Sequence, residues 1–241
     1  GGAAASYEVD VTDKSFRFPQ TLRTNVGVDR KLPLGLVGTV DYIYNKDRND
    51  PVYINANLPG SQGVFTGVDN RPRWATSAAP ITGVTICNTT VGSENGPCNV
   101  RLNNTKGNAI TAAYVIRNSN KNYSWNLSGS LSKPMTHGFS AKGGFNFGVS
   151  KSLVEPSSTA GSSWGSANPI VADPNNPALA YSTNSPGKRV FAQVSYSKQY
   201  MKIGATTVSM FWDAHTNGST SYVFSGDANG DTVSGNDLIY I

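Results

Sequence analysis

Between Tyr123 and Lys151 the chain alternates with a period of two. Tyr123, Trp125, Leu127, Gly129 and Leu131 are separated by Ser124, Asn126, Ser128 and Ser130. After a connecting segment, Ser132 to Gly138, the residues Phe139, Ala141, Gly143, Phe145, Phe147 and Val149 alternate with Ser140, Lys142, Gly144, Asn146, Gly148 and Ser150. In an extended chain successive side chains point to opposite faces, so this pattern predicts two strands, each with an apolar and a polar face. Joined by a turn, they predict an antiparallel hairpin.

The same pattern recurs on both sides. Leu22, Thr24, Val26 and Val28 oppose Arg23, Asn25, Gly27 and Asp29; Pro33 marks a turn; Leu36, Gly38, Val40, Tyr42 and Tyr44 then alternate with Val37, Thr39, Asp41, Ile43 and Asn45. Near the C-terminal end, Val190, Ala192, Val194 and Tyr196 alternate with Arg189, Phe191, Gln193 and Ser195, and a last long strand is expected over 203–213, where the pattern allows either phase and Thr206, Val208, Met210 and Trp212 are the preferred outward set. Residues 1–19 read as an irregular entry. Shorter strands are expected over 52–58 and 110–117, pairing with each other. Long polar loops fill about 59–108 and 152–187, where Gly, Pro, Asn, Ser and Thr abound.

Three hairpins with short turns at one end and loops of unequal length at the other predict an all-β fold: an antiparallel transmembrane β-barrel segment of about six long strands plus extracellular hairpins. Crossing a bilayer takes a tilted strand of ~9–11 residues. The aromatics Tyr123, Trp125, Phe145 and Phe147 gather at the loop end, where an interfacial girdle belongs. On this reading Trp125, Leu127, Phe145, Phe147 and Val194 face lipid, and Arg23, Asp29, Asp41, Lys142 and Arg189 face the lumen. Edge N–H and C=O groups cannot be left unpaired in lipid, and the smallest barrels need ~8 strands, so the chain is expected to be part of a larger barrel. A soluble β-sandwich hairpin would show the same alternation.

Composition sharpens the choice. Charged residues make up 15% of the 241 residues and hydrophobic residues 38%, against a usual charged share of ~25%. A thin apolar belt, a polar lumen and polar loops account for that mixture. The net charge of +5 is dispersed, and without a Lys/Arg run no nucleic-acid partner is expected. No apolar run reaches the ~18 residues of a membrane helix. The sequence begins Gly1-Gly2-Ala3 with no visible signal peptide, as a processed or excised chain would. Cys87 and Cys98 are expected to form a disulfide, which implies an oxidising compartment and would stabilise their short loop by ~3 kcal/mol in the chain-entropy model.

Catalytic signals are weak. Gly161-Ser162-Ser163-Trp164-Gly165 fits G-x-S-x-G, but a nucleophile elbow needs a strand before it and a helix after it, and this copy lies mid-loop. His137 and His215 have no triad partners. The chain is not expected to be an enzyme. The sharper constellation is Asp227-Ala228-Asn229-Gly230-Asp231, whose oxygen side chains stand at positions 1, 3 and 5 of a calcium loop, with Asp237 as the late carboxylate. The Gly expected after Asp231 is replaced by Thr232. Asp227, Asn229, Asp231 and Asp237 are therefore candidate ligands for a structural calcium, with a solvated acidic turn as the alternative; no cofactor is otherwise required.

Several phrases resemble a known family. Phe18-Pro19-Gln20-Thr21-Leu22-Arg23-Thr24-Asn25, Lys31-Leu32-Pro33-Leu34-Gly35-Leu36, Tyr114-Val115-Ile116-Arg117-Asn118, Asn176-Pro177-Ala178-Leu179-Ala180-Tyr181 and Asn236-Asp237-Leu238-Ile239-Tyr240-Ile241 resemble the barrel of TonB-dependent outer-membrane receptors, in particular the Oar-like group. The resemblance implies a 22-stranded barrel in the bacterial outer membrane, with residues 1–241 as a partial barrel domain. Its partners would be outer-membrane lipid, the plug domain, the remaining strands and, through that missing part, a TonB-type energising complex. It further implies capture of a ligand by the external loops and import through the plugged barrel. The sequence departs from the family in carrying no plug, no TonB box and no terminal strand ending in an aromatic residue, and nothing in it is specific for sugar, haem or siderophore. A passive porin or adhesin-like barrel, or a secreted β-sandwich binding module with a calcium loop, are the alternatives.

Overall fold

A computed structural model describes residues 7–75, 80–82, 104–105, 108–201 and 203–240. In chain order its strands are β1 (Tyr7–Thr12), β2 (Gln20–Leu32), β3 (Leu36–Arg48), β4 (Asp50–Asn55), β5 (Gly63–Val64), β6 (Pro72–Arg73), β7 (Asn104–Thr105), β8 (Asn108–Ser119), β9 (Tyr123–Thr136), β10 (Phe139–Ser152), β11 (Ala180–Tyr181), β12 (Gly187–Tyr200) and β13 (Gly204–His215). One π-helical turn spans Ser162–Ser166.

The alternating segments form one sheet in the order β13-β12-β10-β9-β3-β2, with β11 added beside the end of β10. All its ladders are antiparallel. The register keeps the two faces separate across all six long strands. Val28 lies opposite Val40, Tyr42 opposite Leu127, Leu127 opposite Phe147, Phe145 opposite Val190, and Val194 opposite Met210. The sheet is open among the described residues: β2 and β13 are its edges, and no closed barrel is formed.

The turns are tighter than the alternation alone predicts. β9 runs to Thr136, through Pro134, and only His137 and Gly138 connect it to β10. Both have positive φ, 51° and 79°, as in the two-residue hairpin turns whose twist matches that of the strands. Between β2 and β3 the connection is three residues, Pro33 to Gly35, and Leu34 (64°) and Gly35 (73°) again have positive φ. The seven-residue connection expected from Ser132 to Gly138 is therefore two residues long, with a register shift between Phe139 and Ala141 taking up the slack.

The connections at the other end build a second body, the cap. β4 pairs antiparallel with β8, as expected, in the register Val52↔Arg117 to Asn55↔Tyr114. The expected loop over residues 1–19 is corrected: β1 lies parallel to β8 from Tyr7 to Thr12. The cap has its own core of Leu58, Trp74, Ala112, Tyr114 and Trp164, with Tyr53, Ala160 and Val233 against it. Tyr114 and Trp164 rings are 5.5 Å apart. Asn122, 5% exposed, ties the cap to the sheet of six long strands, called the wall for its extended, open shape. Its carbonyl accepts from the Asp47 amide, its Nδ2 donates to Asp50, and its Oδ1 accepts from the Leu153 amide. Cys87 and Cys98 lie outside the described residues.

Candidate functional site

The sheet presents two unlike faces. Trp125, Leu127, Phe145, Phe147 and Val194 share one of them through the ladder pairs β9–β10 and β10–β12. Phe147 and Val194 are both 37% exposed, and Val26, Val28, Val40, Val208, Met210 and Trp212 on the same face are exposed by half or more. Buried hydrophobic residues among those described are Leu58, Trp74, Ala75, Ala112, Tyr114, Val154, Trp164 and Ile170; none belongs to the six wall strands. The wall thus carries a broad apolar surface with no core behind it.

Arg23, Asp29, Asp41, Lys142 and Arg189 share the opposite face, which is polar. Hydrogen bonds run across it: Thr39 Oγ1 donates to Asp29 at 2.6 Å, Arg189 Nε to Asp213 at 2.7 Å, and the Ser195 and Ser209 hydroxyls meet at 2.8 Å. The wall's phase at β13 is as expected, with Val208, Met210 and Trp212 opposite Tyr196, Val194 and Ala192.

The cap holds a cavity of about 500 Å³ between the 152–181 loop and the 219–221 segment, lined in part by Val154, Glu155, Trp164, Ile170, Tyr181 and Leu238. Ser163, the central residue of the G-x-S-x-G sequence, is fully buried in the π-helical turn; its Oγ donates to the Thr159 carbonyl at 2.8 Å and accepts the Ser157 amide.

The acidic segment folds as a closed loop inside the cap. Asp227 accepts the amides of Gly230 (2.7 Å) and Thr232 (3.0 Å); Asn229 Oδ1 accepts that of Asp231 (2.8 Å); Asp231 accepts that of Val233 (2.8 Å). Asp237 reaches back to the amides of Ala228 and Asn229. Side chains at positions 1, 3 and 5 thus each turn onto the loop's own backbone amides. Thr232, where a calcium loop ordinarily has glycine, adopts φ 82°. For a β-branched residue that is an outlier, so the loop keeps the left-handed turn without the residue that favours it.

Asp231 is 0%, Asn229 3%, Asp237 4% and Asn236 1% exposed. Burial pushes the Asp231 carboxyl up to about 7, with nearby Asp227 and Asp237 adding to the rise. Burial likewise raises Asp227 and Asp237, the latter opposed in part by Arg71. Sequence reasoning missed Asn236: its Nδ2 is 3.4 Å from Asp231 Oδ2, while its buried Oδ1 has no hydrogen-bond partner. Among the described residues no group of three or more His, Cys, Asp or Glu side chains is arranged to hold a metal ion.

The loop is anchored on all sides. The Trp74 amide donates to Asn229 O at 2.6 Å, the Ile170 amide to Asn236 O at 2.7 Å, and the Phe224 amide to Asp237 O at 2.9 Å. Arg71 Nη1 reaches Leu238 O at 2.7 Å while its guanidinium pairs with Asp69 at 2.8 Å. Single bridges, Ile170↔Asp237 and Val223↔Leu238, join the end of the loop to its neighbours. The chain matches no protein-family model, and neither the curated proteins nor the solved structures contain a significant match to it.

Proposed function

We propose that this chain forms part of the wall and the external cap of an outer-membrane β-barrel receptor of the TonB-dependent type, completed by further strands to about 22 and closed by a plug. The observation that carries this reading is the wall itself: six paired strands whose apolar face has no buried residue behind it. A soluble protein rarely leaves a contiguous apolar patch beyond a few hundred Å². In lipid the same face is the favourable one. A 13-residue strand such as β2 or β3 spans ~43 Å and, tilted by ~40°, rises ~33 Å, close to the ~30 Å hydrocarbon core.

The cap then stands at the external end, and its cavity beside Trp164 and Tyr181 is the place where a ligand would be captured. The sandwich alternative requires a second sheet over the apolar face; among the described residues β1, β4 and β8 build the cap instead. A passive porin or adhesin shares the wall and differs in the plug. Fractionation of cells expressing the parent protein tests the reading. It is expected in the outer membrane, migrating anomalously on gels until heated, and recovery in the soluble fraction without detergent would overturn it.

A further inference from the structure

We infer that the loop from Asp227 to Asp237 is a structural calcium site whose cation fastens the external cap together. The inference concerns the cap alone and stands whether or not the wall lies in lipid.

Two independent observations point to a cation. The first is charge: Asp227, Asp231 and Asp237 sit in one loop, and Asp231 and Asp237 are almost wholly enclosed. Buried carboxylates need a compensating charge, and Arg71, the guanidinium that reaches this loop among the described residues, already pairs with Asp69. The second is the Asn236 carboxamide. It is 1% exposed, lies against Asp231, and its Oδ1 has no partner. The end that meets Asp231 is Nδ2, at 3.4 Å, so a hard cation seated on the carboxylates would turn the carboxamide and give the unpartnered Oδ1 its partner.

The chemistry selects calcium. All the candidate donors are oxygens: the carboxylates of Asp227, Asp231 and Asp237, the carboxamides of Asn229 and Asn236, and a backbone carbonyl near Val233. Calcium takes ~6–8 oxygens with flexible geometry, whereas magnesium demands a near-octahedral set and keeps much of its water. Because the acidic groups do not form a cage by themselves, binding must draw them inward and bring in the amide oxygens.

The consequence is mechanical. Through Trp74, Ile170, Phe224 and Arg71 the loop joins segments around residues 71–74, 168–171 and 222–224, and Val233 packs against Gly165. Ordering the loop therefore orders the walls of the cap cavity.

The test uses the whole parent protein in detergent, stripped with chelator and titrated with calcium alone, read by calorimetry and by protease cleavage within the cap. One calcium per chain should bind, with cap cleavage slowed and chelator reversing the effect. Asp231→Asn should weaken binding at least tenfold. If that variant fails to fold, Asp227→Asn, on the less enclosed rim, should weaken it likewise. No calcium heat and no protection in the wild-type protein, or unchanged affinity in a folded variant, would overturn the inference. Loss of the apolar wall's membrane behaviour would leave this result untouched, so the two readings fail separately.

Discussion

The ring of Phe145 lies directly over Gly129. The two residues face each other across the β9–β10 ladder, and a Cβ built on Gly129 would stand 2.7 Å from Phe145 Cε1 and 2.8 Å from Cζ. Gly144 and Phe191 repeat the arrangement on the polar face, with the Phe191 ring 3.0 Å from a built Cβ. Each glycine leaves bare backbone for its cross-strand aromatic to cover, a device that pins register.

Gly129→Val should therefore destabilise the wall by ~1–3 kcal/mol, the usual cost of overpacking. Combined with Phe145→Ala it should cost clearly less than the sum of the two single changes, because the clash disappears with the ring. Urea unfolding of the lipid-reconstituted parent protein measures this. Strict additivity would show that the ring does not rest on Gly129.

Leu127→Arg and Ser128→Arg place the same charge on opposite faces of β9. On the apolar face at mid-membrane an arginine costs ~2–4 kcal/mol; on the polar face it meets water and neighbouring polar side chains. Assembly yield in the outer membrane should fall sharply for the first and little for the second. Equal yields would remove the basis for assigning the faces.

Asp50 begins β4 beside Asn122, and burial, then Asp47 and Glu155, raise its carboxyl above the ordinary value. A raised carboxyl favours the folded state when protonated, so that stability is fully present below the unfolded value of ~3.9 and is lost as pH rises through the folded one. Asp50→Asn keeps an acceptor for Asn122 Nδ2 and removes the charge. The variant's cap should melt at a higher temperature than wild type at neutral pH, with the difference closing in acid. A lower melting temperature at neutral pH would mean the charge is stabilising.

Gly230 has φ 82°, and a Cβ there would collide with the Trp74 carbonyl. Gly230→Ala should loosen the acidic loop from Trp74 by more than ~1 kcal/mol, since both conformation and space oppose it. Gly226→Ala, with open space around it, is the control. Protease cleavage near residue 74 should accelerate for the first variant only.

The wall was legible because two environments, one on each face, impose a period of two on every strand that separates them. Val26, Leu127 and Val194 could be assigned to one face with no knowledge of their partners. The acidic loop was legible because Asp227, Asn229 and Asp231 turn onto backbone only two to five residues away, and Asp237 onto backbone eight and nine residues back. The cap was not. Trp74 and Trp164 join the core around Tyr114 of β8 from loops that carry no period, and β1 pairs parallel with β8 across about a hundred residues, with no hairpin turn to announce it. Asn236 stands out only through a missing partner, which no local pattern reveals.

The four tryptophans divide evenly: Trp125 and Trp212 on the apolar face, Trp74 and Trp164 in the cap core. In the parent protein reconstituted into bilayers, with one of these four kept and every other tryptophan replaced by phenylalanine, lipids brominated on their acyl chains report contact with hydrocarbon directly. Strong quenching of Trp125 and Trp212 fluorescence, with Trp74 and Trp164 unaffected, is the predicted result. Trp125 and Trp212 as insensitive to brominated lipid as the cap pair would contradict a membrane wall.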